Sequence, residues 1–404
     1  MTAASPLAAD TATAPVEAPV PRRILPAIAV SQFAGTALWF APNAVIADLQ
    51  RQAGLSDAAA GWLTASVQLG FIAGTLLFAL LAIADRHRPA RVFLYSAWVG
   101  AALALATAWL PPQFGTLLAL RFLTGMCLAG IYPVGMKIAA GWYAGGLGAA
   151  LGVLLGALIL GTAAPFALRA LGAQWPWQGV LVAVAVLAAA GGVLMAWAVP
   201  DGPYLGRAGR VQPRALAVIW TNRRVRASAL GYFGHMWELY AFFVLLPVIV
   251  ARRASGAEAH WWVFAAIAMG VVGCVGGGML VRRWGGARVA SVQMLCGACC
   301  GLASPWLLDA PLALWVPWIL LWGMTVSGDS PQFSALTARN APREWVGSVL
   351  TFVNSIGFTV SVLTIGAFGW MASVWPLAAV LPWLAVGPLL GWLAMRPLVR
   401  EGRM

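Results

Sequence analysis

Twelve apolar stretches, each long enough to cross a bilayer, constrain this chain more than any other feature. They run over about residues 24–46, 58–84, 92–110, 115–140, 148–170 and 179–199, then 227–250, 259–281, 288–308, 312–338, 345–369 and 375–395. A helix needs roughly 20 apolar residues to cross the hydrocarbon core. Each stretch is therefore read as one crossing, which makes the chain an all-α polytopic membrane protein. With 61% apolar and 9% charged residues, no soluble fold of this size could hide its side chains; soluble domains are about one quarter charged.

The hydrophilic stretch 200–226 holds Asp201, Arg207, Arg210, Arg214, Arg223, Arg224 and Arg226 and divides the crossings six and six. The expected plan is a disordered tail (1–23), a first bundle (24–199), a linker (200–226), a second bundle (227–396) and a short tail (397–404). Arg22-Arg23 are read as holding the first helix end in the cytoplasm. The apolar run that follows them is too long for an export signal, and no cleavage pattern follows it.

A duplication supports two halves. Leu81-Ala-Ile-Ala-Asp85-Arg86-His-Arg-Pro-Ala-Arg91-Val92 is echoed 197 residues later by Met279-Leu-Val-Arg282-Arg283-Trp-Gly-Gly-Ala-Arg288-Val289. Each copy has an apolar helix end, a charged pair, a short turn and Ala-Arg-Val. Two halves of one plan suggest a duplicated membrane protein with pseudo-twofold symmetry.

The net charge of +13 does not point to nucleic acid, because the basic residues sit in short turns, where charge sets topology. With both termini inside, 20 of the 25 basic residues fall at cytoplasmic ends or turns. Arg51, Arg169, Arg252 and Arg253 fall outside, and Arg121 lies within a span. That bias favours this orientation. Trp175, Trp177, Trp261 and Trp262 suit the interfaces. Rows of glycine spaced by four (Gly70 and Gly74; Gly148, Gly152 and Gly156; Gly273 and Gly277) are expected to let helices approach closely. The five cysteines lie in apolar runs, and Cys296-Gly-Ala-Cys299 is read as packing, since no histidine or second cysteine pair is near it in sequence. No metal and no cofactor are expected.

The basic turns carry a resemblance. Ile83, Ala84, Asp85 and Arg86 match the pattern Gly-x-Leu-Ala-Asp-Arg-x-Gly-Arg-Arg of the major facilitator superfamily, with Leu81 and Arg88 standing where glycines are usual. In the second copy Gly278, Leu280, Arg283 and Gly285 are in place, and Arg282 replaces the acid. Arg121, Gly125 and Ala129 match Arg-x-x-x-Gly-x-x-x-Ala in the fourth span. The antiporter pattern of the fifth span is poorly matched, with Gly156, Gly161 and Pro165 at other spacings. The chain thus resembles secondary transporters over about residues 24 to 396. The resemblance implies two six-helix bundles rocking about a central cavity, with Arg121 serving proton coupling or substrate charge.

Charge inside a bilayer is costly and usually functional. Glu238 falls about 16 Å into its span, and His235, three residues earlier, shares its face. Glu238 is expected to carry the coupling proton, tuned by His235. Asp329 lies in Ser327-Gly-Asp-Ser-Pro331-Gln332, where the proline frees carbonyls. Functional and structural readings are equally open there. Arg121 offers a fork suited to a carboxylate, and Lys137 is expected at the cavity mouth. Candidates for lining the cavity are Gln32, Trp39, Asn43, Gln68, Tyr132, Tyr240, Gln332 and Asn354. Asp85, Arg86 and Arg91, with Arg282, Arg283 and Arg288, are expected to form gating turns whose ion pairs hold the cytoplasmic side shut in one state.

The expected function is proton-coupled secondary transport of a small solute, an anion slightly favoured because the internal bases include Arg121 and Lys137. Export of apolar drugs by antiport is the alternative within the fold. A non-transporting sensor is the alternative of another class, though the chain has no long loop or appended domain for it. Enzymatic motifs and a Walker loop are absent. The chain is expected to act as a monomer in a bacterial inner membrane, with substrate, protons and lipid as its partners.

Overall fold

A computed structural model describes residues 20–143, 146–206 and 212–401. Arg207 and Arg210 of the expected linker, most of the expected N-terminal tail and the last three residues lie outside that range.

The first half comprises α1 (Ile24–Thr36), α2 (Ala41–Ala44), α3 (Ile46–Ala53), α4 (Asp57–Leu80), α5 (Ile83–Arg86), α6 (Pro89–Trp109), α7 (Phe114–Ala129), α8 (Tyr132–Trp142), α9 (Leu147–Leu171) and α10 (Trp177–Ala198). After α11 (Ala215–Thr221), the second half comprises α12 (Arg223–Ala251), α13 (Gly256–Trp284), α14 (Gly286–Leu307), α15 (Leu312–Gly328), α16 (Ser330–Asn340), α17 (Val346–Val374), α18 (Leu377–Val380) and α19 (Val386–Glu401). Among the described residues, eleven helical segments are long and apolar enough to cross a membrane, with Ile24–Thr36 as a shorter apolar helix.

Several expected spans are interrupted. The stretch expected as one helix over 24–46 stops at Thr36 and resumes at Ala41. Pro42 has no N–H to offer the carbonyl of Leu38 four residues back, so the ladder cannot close. The fourth span divides into α7 and α8 and the tenth into α15 and α16, each with proline as the second residue of its second part (Pro133, Pro331). The last span begins as a short turn and a 3-10 segment, Leu381–Ala385, and then stays helical to Glu401, so the expected tail from 397 is largely helix. The expected linker contains α11, whose Ala215, Val218 and Ile219 are buried, and it ends early, because the Asn222 side chain accepts from the N–H groups of Arg224 and Val225 and starts α12.

The two basic turns are not copies in detail. The first breaks the helix at Leu81, turns through Ala82 at φ 51° and adds the single turn α5. The second carries its helix on to Trp284 and turns at Gly285, φ 79°.

Within the first half α4 packs on α7, α6 on α10, and α1 on α9 and α10; within the second α12 packs on α17 and α19, and α13 on α15. The halves meet where α9 lies against α13 and α4 against α17. These are the fifth and eighth spans and the second and eleventh. A shift of six spans turns one pair into the other, as pseudo-twofold symmetry requires. The Gly70–Gly74 and Gly273 rows do bring helices close: a Cβ at Gly74 would lie 2.8 Å from Met126 Cα, and one at Gly273 3.1 Å from Gly328 Cα. The row on α9 behaves differently. Gly156 faces Val271 of the other half at 3.3 Å, while Gly152 and Gly148, nearer the basic turns, have no such neighbour within 4 Å. Along this side of α9, contact with the other half is lost towards the end that bears the basic turns.

At the opposite end, the four arginines that stood outside the charge bias all have partners. Arg51 and Arg169 share Asp48 (2.5 and 3.0 Å), Arg252 holds Asp309 (2.8 Å), and Arg253 donates to the carbonyls of Leu308 and Ala310.

Candidate functional site: an aromatic lid, a central cleft and two buried charge sites

The break after α1 presents Trp39 and Phe40 to the second half. Trp39 stacks on Tyr240 and Phe358 at centroid distances of 6.0 and 5.9 Å, Phe40 meets Phe243 at 5.8 Å, and Phe71 meets Phe358 at 4.5 Å. All four contacts cross between the halves, near the middle of α4, α12 and α17. Towards the end away from the basic turns, His260 Nε2 of α13 lies 3.2 Å from the carbonyl of Ala44 in α2. That side of the molecule is closed.

Beneath this lid lies a cleft between the halves. The first half contributes Tyr132, Leu155, Leu158, Ile159 and Thr162; the second adds Tyr232, Met236, Leu239, Tyr240, Phe243, Cys274, Ser327, Ser330 and Phe358. Its volume is about 50 Å³. Small-molecule sites occupy roughly 300–1,000 Å³, so the halves must part before a solute of ordinary size can enter. Tyr132 and Ser330 occupy matching places. Gly130-Ile131-Tyr132-Pro133 interrupts the fourth span and Gly328-Asp329-Ser330-Pro331 interrupts the tenth, in the same order and 198 residues apart. Paired interruptions in corresponding spans are where a duplicated transporter lines its site.

Arg121, His235, Glu238 and Asp329 are buried and Lys137 is half-buried, but none of them lines the cleft. Arg121, 2% exposed, donates to Trp39 O (2.8 Å), Leu63 O (3.3 Å), Leu38 O (3.5 Å) and Asn43 Oδ1 (3.3 Å). It serves the carbonyls freed by the interruption after Thr36, and its contacts carry no acid. Lys137 is not at a cavity mouth: it binds Asp85 Oδ1 at 2.5 Å and Ala84 O at 2.8 Å, fastening the first basic turn to α8. Asp85 thus pairs with lysine within one half. Arg86, Arg91, Arg282 and Arg283 are exposed and Arg288 is half-buried. Arg88, in the same turn, pairs with Asp201 at 3.1 Å.

Glu238 and His235 take different partners. Along α12 the cleft side is the stripe Tyr232, Met236, Leu239, Tyr240 and Phe243. At about 100° per residue Glu238 sits about 140° round the helix from its centre. It points into its own bundle, where Trp322 Nε1 donates to Oε1 at 2.6 Å and Gly297 leaves room for the carboxylate. His235 turns instead to Asp329: Nδ1 and Oδ1 are 2.7 Å apart, with the two side chains 1% and 3% exposed. Asp329 occupies the junction of α15 and α16, between the cleft residues Ser327 and Ser330. His235 packs against Tyr232 and Phe333. The expected tuning of Glu238 by His235 is thus replaced by a histidine–aspartate pair beside the cleft.

Of the eight lining candidates, Tyr132 and Tyr240 line the cleft. Trp39 belongs to the lid and donates to Gln68 Oε1, and Asn43 donates to Thr64 Oγ1. Gln332 donates to Gly328 O at the end of α15, Gln32 is fully buried beside Gly135, and Asn354 is half-buried and does not line the cleft. Tyr232, Ser327 and Ser330 were not among the candidates. The stripe spacing on α12 and the repeated Gly-x-x-Pro order were the signals that could have found them.

A family model described as Major Facilitator Superfamily matches residues 28–366. Among solved structures, the proton:xylose symporter XylE bound to 6-bromo-6-deoxy-D-glucose is similar at TM-score 0.72, with 13% identity over 93% of this chain and 96% of that one. The human organic anion transporter MFSD10 (TETRAN) is similar at TM-score 0.71, with 14% identity over 94% of this chain and all of the other. No curated protein matches by sequence.

Proposed function

Because the chain belongs to the Major Facilitator Superfamily, a family of transporters rather than enzymes, we propose that it moves a small neutral, partly apolar solute by alternating access, coupled to protons through His235 and Asp329. The observation that carries the substrate class is the lining of the cleft. It offers three tyrosines, Thr162, Ser327 and Ser330 among apolar side chains, and no charged residue. Arg121 and Lys137, which favoured an anion, are engaged with carbonyls and with Asp85. Hydroxyls on apolar walls suit a solute with a few hydrogen-bonding groups.

The coupling reading rests on a buried acid and imidazole at the junction of α15 and α16. A proton taken by the pair changes the charge on that junction, and with it the cost of exposing Ser330 and Asp329 to water. Glu238, held by Trp322, is the second buried acid of the same bundle. In this reading residues 24–199 and 227–401 are the two moving bodies. The basic turns and both termini face the cytoplasm of a bacterial plasma membrane, and the protein works as a monomer. The lid then closes the outer side, and the cleft opens inwards.

Export of apolar compounds by antiport is the second reading, favoured by the aromatic lid. Proteoliposomes given labelled polyols and sugars, organic acids and lipophilic dyes, with and without a pH gradient, test both. A neutral solute should accumulate only with the gradient, and Asp329→Asn should abolish accumulation while sparing exchange. Accumulation of organic acids alone, or an unimpaired Asp329→Asn carrier, overturns the proposal.

A further inference from the structure

On the outer surface of the first half, at the end that bears the basic turns, α1 and α10 leave a groove of about 580 Å³ lined by Arg23, Pro26, Ala27, Val30, Leu194, Trp197 and Ala198. Its walls are apolar, and its rim is open to the surroundings: Val30 is 52% and Trp197 84% exposed, while Ala27 forms a buried floor. In a membrane protein such a face is covered by lipid chains. Its mouth is different in kind. Arg23 lines it and Arg22 precedes it in the chain, both exposed, at the N-terminus of α1, whose dipole adds positive charge. The acid at this corner, Asp201, is engaged by Arg88 at 3.1 Å, and none lines the groove.

We propose that this groove is a binding site for an anionic phospholipid. The phosphate lies on Arg22 and Arg23 at the mouth, and one acyl chain follows Pro26, Ala27 and Val30 for about 10 Å at 1.5 Å of rise per residue. Trp197 marks the boundary between headgroup and hydrocarbon, where its ring is at home. Basic pockets between spans hold anionic headgroups in this way. The site is remote from the cleft, since none of its residues lines both.

The test is native mass spectrometry of the full chain in detergent, titrated with phosphatidylglycerol or with phosphatidylcholine of the same acyl chains. Wild type should retain phosphatidylglycerol in preference. Each arginine contributes about fivefold near an anionic surface, so Arg22→Gln with Arg23→Gln should lower that retention by on the order of 25-fold. Both side chains are exposed, so the double variant should fold. Val30→Trp, which fills the groove without touching the arginines, should also displace the lipid. Equal retention of the two lipids, or a preference that survives in both variants, overturns the proposal.

Discussion

Separating His235 from Asp329 is the most informative single perturbation. The two side chains lie 2.7 Å apart and are 1% and 3% exposed, so neither can turn to water when its partner is lost. With the imidazole protonated the two form a buried ion pair, and removing one member costs about 3–5 kcal/mol, because a charge is left uncompensated. His235→Gln should fall near the lower end of that range, since Asp329 can relieve itself by taking a proton. Asp329→Asn leaves a neutral imidazole facing an amide and should cost about 1–2 kcal/mol. The double variant sets amide against amide, and a cycle over the four proteins should show a coupling of about 1.5–3 kcal/mol. Thermal unfolding of the purified protein measures the cycle. Exchange and gradient-driven accumulation, measured on the same four preparations, separate stability from coupling. If the single effects add to within about 0.5 kcal/mol, the two side chains do not act as a pair, and the coupling proposal loses its physical basis.

Two further outcomes follow from the other buried charges. Arg121→Met strands the carbonyls of Leu38 and Trp39, at about 1–3 kcal/mol each. It should lower the thermal midpoint and speed labelling of a cysteine at Phe40 by an impermeant thiol reagent from the side the lid closes; an unchanged midpoint and labelling rate would show that Arg121 does not hold the lid. Trp322→Phe removes the donor to Glu238 and should destabilise by roughly 1.5–3 kcal/mol, and adding Glu238→Gln should recover most of the loss, as read by the same unfolding measurement.

The fold was legible because lipid imposes one simple rule, that a crossing must be apolar for about 20 residues. Both halves, the α12 crossing and the burial of Arg121, Glu238 and Asp329 follow from that rule and from the cost of charge in oil. The partners did not follow. A hydrophobicity pattern states that Glu238 is inside but not which side of α12 faces the cleft. Three-residue spacing put His235 and Glu238 on one face, yet each found a nearer partner on α15 or at its end: Trp322 for one, Asp329 for the other. Lys137 and Asp85 are 52 residues apart, and only the packing of α8 against the turn brings them together. The interruption after Thr36 was visible in Pro42, but an otherwise apolar run masks a break whose freed carbonyls are met by an arginine 82 residues away.

The interruptions explain where the charges went. Backbone that leaves the helical ladder at membrane depth needs polar partners from elsewhere in the protein. The break after α1 receives Arg121, and the junction of α15 and α16 carries Asp329 with His235 beside it. Arg121 and Asp329 therefore each sit against a weak point of a span, and the cleft lies between weak points of the two halves, where Tyr132 and Ser330 open α8 and α16. A solute bound there touches the residues that open α8 and α16, next to the two interruptions, where the backbone is least fixed by the helical ladder. In the proposed cycle a proton taken at Asp329 would act on one of the same segments. The proposed coupling of solute to proton requires no long pathway, only that both load the junction of α15 and α16.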